Sequence, residues 1–540
     1  MIRMTALLTL IAAFEVAAAD GPYLKMDEHT LIPARASAAW VGDDWVRPRG
    51  DGCCDAPDAF SGAAMAWTPQ AVPGGGTLNT LAFMNPAVIN NAGEIAFISR
   101  VNGSTRNQGV FVAGPAGLRV IARGCGDGGG GTNPGSCGDA SPIGGTFSGF
   151  YDGTVFAPVI NDNGDVLFYC DVFGGSALRG LFLYRAATQD IIKVVALGDA
   201  SPLGGVFENV SPGSMNNSRV VVFAGRRPGQ GEFQADFYKW ESGVITKVAA
   251  LGDPAPGGGV FSFLNREWFG FVDGTSIPIG PIPAINNFGQ IAFAAVVSGG
   301  PVERGLILSD GVTHQWAARN TDTTPLGGNF VDLAGPNLTD SGKIAFYADV
   351  RLANGSFTGG WFSGEPGSLR TALSFFQPVG GGECFGLAWC RNPMRAIDDC
   401  GNVLLWTNIR FPNLTEREAV VLSSVDGEVT VLAQQGLPTP IGGSFGSMNG
   451  WITMNNERQM VVSAGTPGAS GGRSSVHFVY DGLRIGDLDN DGTVGIADLA
   501  ILLSNFGTGG NTFADGDANG DGFVNLEDLA QLLGAFGTSC

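Results

Sequence analysis

The sequence predicts an all-β body of seven four-stranded units, followed by a small α-helical module at the C-terminus. Three observations predict it. The chain has 85 Gly and 29 Pro in 540 residues, and so many turn residues favour short strands over helices. One turn-and-strand pattern recurs seven times. Beyond residue 482 the chain changes character, to two acidic loops each followed by an apolar stretch.

The repeat is anchored on Ile89-Asn90-Asn91-Ala92-Gly93-Glu94-Ile95-Ala96-Phe97. It returns at Ile160 to Phe168, Met215 to Phe223, Ile285 to Phe293, Leu338 to Phe346, Ile397 to Leu405 and Met454 to Val462. Spacings of 53 to 71 residues signal a repeat architecture. Arg219 and Arg458 stand where the other copies have the turn glycine, which predicts a different turn geometry in those two units.

A second element alternates with the first. It reads Asp139-Ala-Ser-Pro142-Ile-Gly144-Gly145-Thr-Phe147, and recurs from Asp199 to Phe207 and from Asp253 to Phe261. Weaker copies end at Phe330, Phe385 and Phe445, and Pro73 to Leu78 opens the series. In the first unit four strands follow from the pattern, at Ala82 to Ile89, Glu94 to Val101, Gly109 to Ala113 and Leu118 to Ala122. Short β-branched and aromatic runs between Gly/Asn turns are hairpin signals. Four antiparallel strands repeated seven times are the sequence form of a seven-bladed β-propeller. The strand around Ala63 to Trp67 precedes the first unit and is expected to complete the last blade, beside His477 to Tyr480, so that no sheet edge is left open.

The anchor resembles a tandem-repeat family of exported bacterial proteins named for an Asn-x-x-Gly-x-x-Ala-Phe signature. Asn90 to Phe97 and Asn286 to Phe293 carry it in full, and Thr339 to Phe346 lacks only the Asn. That resemblance implies a repeat body and no activity.

Beyond the repeats, Asp487, Asp489, Asp491, Thr493 and Asp498 occupy positions 1, 3, 5, 7 and 12 of one loop. Asp517, Asn519, Asp521, Phe523 and Asp528 occupy the same positions of a second. Calcium takes six to eight oxygens, and this spacing supplies side-chain oxygens at 1, 3, 5 and 12 and a carbonyl at 7, with Gly492 and Gly522 at the sharp turn. Two calcium ions are therefore expected. Each loop leads into one apolar helix, Leu499 to Phe506 or Leu529 to Phe536, with no entering helix. The pair resembles a dockerin domain, which implies pseudo-twofold symmetry and docking to a cohesin-like or cell-surface protein. Positions 10 and 11 are Ile496-Ala497 and Leu526-Glu527 instead of Ser/Thr, a departure from cellulosomal dockerins. The ending at Cys540 is similar to a dockerin variant of exported surface proteins.

Residues 1–19 read as a secretory signal, with Arg3 ahead of a short apolar run and Ala17-Ala18-Ala19 before the expected cut. Residues 20–61 then form an N-terminal segment, 62–482 the propeller and 483–540 the dockerin-like domain. No apolar segment is long enough to span a bilayer, so export to the cell surface or medium is expected. A net charge of −20 argues against nucleic acid. Three histidines give poor support for a zinc or triad site. Nine cysteines in an exported chain predict disulfides. Cys125 and Cys137 are expected to pair, as are two of Cys384, Cys390 and Cys400, while Cys170 fits a buried strand position.

No catalytic residues emerge. Asp139, Asp199 and Asp253 recur in every strong copy, as turn caps do. A ligand site needs one unit unlike the rest, and Trp268 with Phe269 is the aromatic candidate, on a face shared by the loops between blades, where the long segments 124–138 and 265–283 are expected to lie. The reading is a non-enzymatic, calcium-binding surface protein. The alternative is a polysaccharide-active or carbohydrate-binding propeller.

Overall fold

The computed structural model describes residues 59–540, apart from 80, 82–85, 126–136, 151–156, 232–233, 265–268, 273–274, 279–282, 388–395, 449–451, 484–485, 490–492, 510–514, 518–522 and 538–540. Residues 1–19, expected to be a signal, and the segment up to 58 lie outside that range, as do Cys53, Cys54, Cys390 and Cys540.

Seven antiparallel sheets form the blades of a propeller among the described residues. In blade one the innermost strand comes in two pieces, Thr77–Leu78 and Ala87–Ile89, followed outward by Ile95–Asn102, Gln108–Gly114 and Gly117–Gly124. The second strands of blades two to seven are Val166–Phe173, Val221–Arg226, Ile291–Ser298, Ile344–Arg351, Val403–Arg410 and Gln459–Gly465. Blade seven closes as expected: Ala59–Trp67 is its outermost strand, antiparallel to Ser475–Leu483, with Ala63 opposite Val479. Chain ends meeting in one sheet remove the exposed edges.

The alternation of each strand explains its continuous apolar run. In blade one, Ala96 and Ile98 pack into a cluster shared with blade two, while Ile95 and Phe97 pack into one shared with blade seven. Seven such clusters lie between consecutive blades among the described residues. Both faces of each blade are thus buried, which leaves little room for charge.

Hydrogen bonding explains the anchor motif. Asn90 Oδ1 accepts from the Ala92 and Glu94 amides, while its Nδ2 donates to the Asn161 carbonyl of the next blade. Only an amide side chain both accepts and donates in this way. Asn161, Asn216, Asn286 and Asn455 repeat the inter-blade bond. The next residue in each turn makes a second ring. The backbone N–H of Asn91 donates to Asp162, and the same step runs from Asp162 to Asn217, Asn287, Asp340, Asp399 and Asn456, then back to Asn91.

Two expectations about turns and cysteines need correction. Arg219 and Arg458 adopt the glycine geometry, at φ +62 and +58 against +74 for Gly93. Such a conformation costs a non-glycine residue about 1–2 kcal/mol, and at Arg219 a two-armed ion pair with the buried Asp165 of the preceding blade offsets it, through Nε at 2.7 Å and Nη2 at 3.2 Å. Cys384 is not disulfide-bonded, which removes it from the pair expected among Cys384, Cys390 and Cys400. Cys384 is a buried core residue against Thr407, and Cys400 sits in the anchor turn of blade six. Cys125 and Cys137 are bonded, and Cys170 is buried in its strand.

A helical module follows the propeller, with α1 over Ile496–Ser504 and α2 over Leu526–Ala535. Leu488, Val494, Leu502, Val524 and Leu532 form its core. Among the described residues no helix is long and apolar enough to cross a membrane.

Candidate metal centre and the loop face

The two helices pack as pseudo-twofold equivalents offset by 30 residues. Gly507, after α1, donates its N–H to the Val524 carbonyl, and Gly537, after α2, donates to Val494. Gly486 and Gly516 both take positive φ, and a Cβ on either would strike a neighbouring helix near Leu532 or Leu502. Each acidic loop is thereby pinned at its start by a glycine and at its end by a helix.

Position 12 of each loop falls in the first helical turn. Asp498 Oδ2 accepts from the Gly495 N–H at 2.7 Å, and Asp528 Oδ2 from Asn525 at 2.8 Å. The carboxylate at the helix N-terminus is well placed for the exposed amides there. Asp498 Oδ1 reaches back to the amides of Leu488 and Asp489, at 2.6 and 3.1 Å. The loop therefore folds over its last ligand. Asp487, Asp489 and Asp498 each bring a carboxylate oxygen into one group whose members lie within 4.8 Å of one another. Asp487 and Asp498 are buried. Three hard oxygens around one point are of the type calcium takes and would be part of its six to eight, and like charges so close are unfavourable without a cation.

Thr493, at position 7, is exposed; a calcium ion would take its backbone carbonyl rather than its side chain. Asp517 and Asp528 of the second loop are both buried, and Phe523 is exposed with its backbone bridged to Gly509. Asp491, Asn519 and Asp521 lie outside the described residues.

On the propeller, the loops between blades and those between second and third strands open on one face. Ser176, from a loop of the latter kind, donates its N–H to Ile143 in the former. Asp139, Asp199 and Asp253 act as turn caps there, accepting from the backbone amides of Arg123, Ala196 and Ala250 and pairing with Arg106, Lys193 and Lys247. The segment 124–138 lies between blades, as expected. The segment 265–283 does not: it interrupts the innermost strand of blade four, between Val260–Leu264 and Ala284–Ile285, both of which pair with Ile291–Ser298. The Asp253 to Phe261 element already makes the inter-blade connection, so the extra residues fall after it. Trp268 lies outside the described residues, and Phe269 begins a hairpin, Phe269–Val272 with Thr275–Pro278, whose side chains are not described.

The sequence reading missed the second anchor residue. Its signal was available, since Asn or Asp stands there in all seven copies.

A family of unknown function, DUF7453, matches residues 58–300 and again 270–489. The chain belongs to this family. The DUF7453 match runs through all seven blades, while α1 and α2 lie beyond its last residue. No curated protein matches the chain. Among solved structures, a protein of unknown function from Dyadobacter fermentans aligns over 78% of this chain and 99% of its own, at 11% identity and TM-score 0.28. A puromycin-hydrolysing peptidase from Mycobacterium tuberculosis covers 77% and 56%, at 9% identity and TM-score 0.41. A Trypanosoma rangeli sialidase covers 82% and 61%, at 10% identity and TM-score 0.31. At these scores the likenesses bear no weight on the function of the DUF7453 chain.

Proposed function

We propose that this chain is an exported calcium-binding protein whose C-terminal module docks it to a cell-surface or cohesin-like partner while the propeller binds a ligand. The observation that carries the calcium reading is the convergence of Asp487, Asp489 and Asp498 within 4.8 Å. The second loop supplies oxygen donors at the same spacing, with Asn519 in place of Asp489 and the Phe523 carbonyl in place of that of Thr493, so two ions are expected per chain. The dockerin resemblance extends this to docking. Ile496 and Leu526, 79% and 71% exposed at equivalent places, are joined by exposed Leu503 and Leu533. Repeated apolar side chains on both halves of a small module suit a protein partner. The Cys125–Cys137 disulfide supports an oxidising, exported setting. A hydrolytic propeller is less favoured, because the recurrent acids at 139, 199 and 253 are engaged in turns.

Calorimetric titration of the full chain with calcium tests the reading. Two bound ions are expected; absence of calcium-dependent heat would refute it.

A further inference from the structure

Blade six departs from its sisters at two main-chain positions on the loop face. Ahead of blades three, four and seven, Gly198, Gly252 and Gly436 take φ +84, +87 and +88. Each donates its N–H to the carbonyl of a core phenylalanine, Phe207, Phe261 or Phe445. Ahead of blade six the same place is held by Phe376, at φ +64, donating to the Cys384 carbonyl. The loops joining second and third strands repeat the contrast. In blade five Gly355, at φ +82, donates to Leu352 and Leu352 to Ser356. In blade six Leu414, at φ +65, donates to Phe411 and Phe411 to Thr415. Two positions that call for glycine therefore carry large apolar residues in a conformation that disfavours them. Neither side chain is returned to the core: Phe376 is 62% and Leu414 77% exposed.

A third departure lies beside them. Cys384 faces Ile409 in the register where Phe330 faces Val350 and Phe147 faces Val172. The place of the core aromatic in blade six is thus taken by Cys384, one residue before the expected Phe385. Phe385, on the opposite side of its strand, is half-buried, with its ring 6.4 Å from that of Phe376. The guanidinium of Arg410 lies over the Phe385 ring and is paired with Glu416 Oε1 through Nη2 at 2.7 Å and Nε at 3.1 Å.

We propose that Phe376, Phe385, Leu414 and the Arg410–Glu416 pair form a binding site for a neutral saccharide. Residues held in strained backbone with exposed side chains gain nothing inside the fold, and such strain gathers at ligand sites. The exposed Phe376 ring accepts the C–H face of a sugar, Phe385 supports it from beneath the Arg410 guanidinium, and the ion pair offers hydrogen-bond donors and acceptors to the sugar hydroxyls. Arg410 is already compensated by Glu416, and the chain carries −20 overall, so an acidic polymer meets general repulsion. A protein-docking patch is depleted of charge at its centre, whereas here a charged pair sits on the ring itself. The site rests on the reading of the propeller as a ligand-binding body and is independent of the calcium module.

The test is affinity electrophoresis of the full chain through gels containing dextran, glucomannan, arabinan or galactan, with polygalacturonate as the acidic comparison. At least one neutral polymer is expected to retard the protein, and polygalacturonate is not. Phe376→Gly and Leu414→Gly are each expected to weaken that retardation at least tenfold in apparent affinity while leaving Tm unchanged or raised. Calcium titration of the same variants should be unaltered, so failure here is separable from failure of the calcium reading. No retardation by any neutral polymer, retardation by polygalacturonate alone, unchanged affinity in the variants, or a Tm drop of several degrees would each overturn the proposal.

Discussion

The propeller and the C-terminal module both bury carboxylates, but they neutralise them by opposite means. Asp165 is fully buried and meets Arg219, Asn161 and the Ala186 amide. Asp236 is also fully buried and meets Arg227, Gln230 and the Leu251 amide. In the module, Asp487, Asp498, Asp517 and Asp528 are similarly buried. Yet residues 485–540 contain nine acidic side chains and no Lys, Arg or His. The propeller thus supplies its own counter-charges, Arg219 from the next blade and Arg227 from the same one, whereas the stretch 485–540 encodes none, and a bound cation is the proposed counter-charge there. Carboxylates held close together repel one another unless a cation lies between them, so on the proposed reading the two regions should respond differently to metal, charge removal and pH.

Removing one loop carboxylate should have the largest effect. Asp498→Ala deletes the helix-start contact and the loop contacts together, and should leave α1 and α2 unfolded in the full chain. Limited proteolysis beyond residue 486 with the propeller intact is the expected result; a protected module would contradict it.

In the propeller, Asp165→Ala leaves Arg219 facing a void in a strained turn. Arg219 is 38% exposed, so the cost stays below that of a fully buried pair, at about 1–3 kcal/mol, and chemical denaturation should show a loss of that size with no change in calcium binding.

Acid should weaken the propeller through His477. This side chain is fully buried beside Phe97, with Nδ1 within 2.7 Å of the Ser463 hydroxyl. Burial lowers its pKa from 6.5 to about 3. A depressed histidine stays neutral in the fold while the unfolded chain takes up a proton, so stability falls as pH drops from 6.5 toward 3. Between pH 6.5 and 5 the loss is about 2 kcal/mol. Comparing denaturation of the protein and of His477→Gln at those two pH values checks it; equal pH slopes would show that His477 is not the group responsible.

The smallest expected effect is Asn91→Ala. It removes one acceptor and one donor from the second ring, facing Asn456 and Asp162. A cost of about 1–2 kcal/mol is expected, and a larger one would mean that the ring is cooperative.

The repeat was legible because apolar runs and glycine turns are local. The Asn90 and Asn286 anchors, the strand order and the closing strand near Ala63 all follow from that pattern. What escaped is long-range. Arg219 keeps the glycine geometry because Asp165 lies 54 residues earlier, a pairing that spacing does not reveal. Cys384 takes the core place of an aromatic by a one-residue shift, and two adjacent candidates cannot be separated by alternation alone. The interruption at 265–283 was assigned to the wrong connection because strand breaks inside a blade look like loops between blades. In the module the acidic spacing is itself local, so Asp487, Asp489 and Asp498 stand out in the sequence as candidate ligands, and the structure brings their carboxylates within 4.8 Å of one another.

Hydrogen exchange on the full chain, with calcium and with a calcium chelator, tests the central contrast most directly. The account predicts that chelation removes protection from α1, α2 and the amides of Leu488 and Asp489 while the blade strands remain protected. Equal protection of the module in both conditions, or loss of protection spread through the blades, would contradict it.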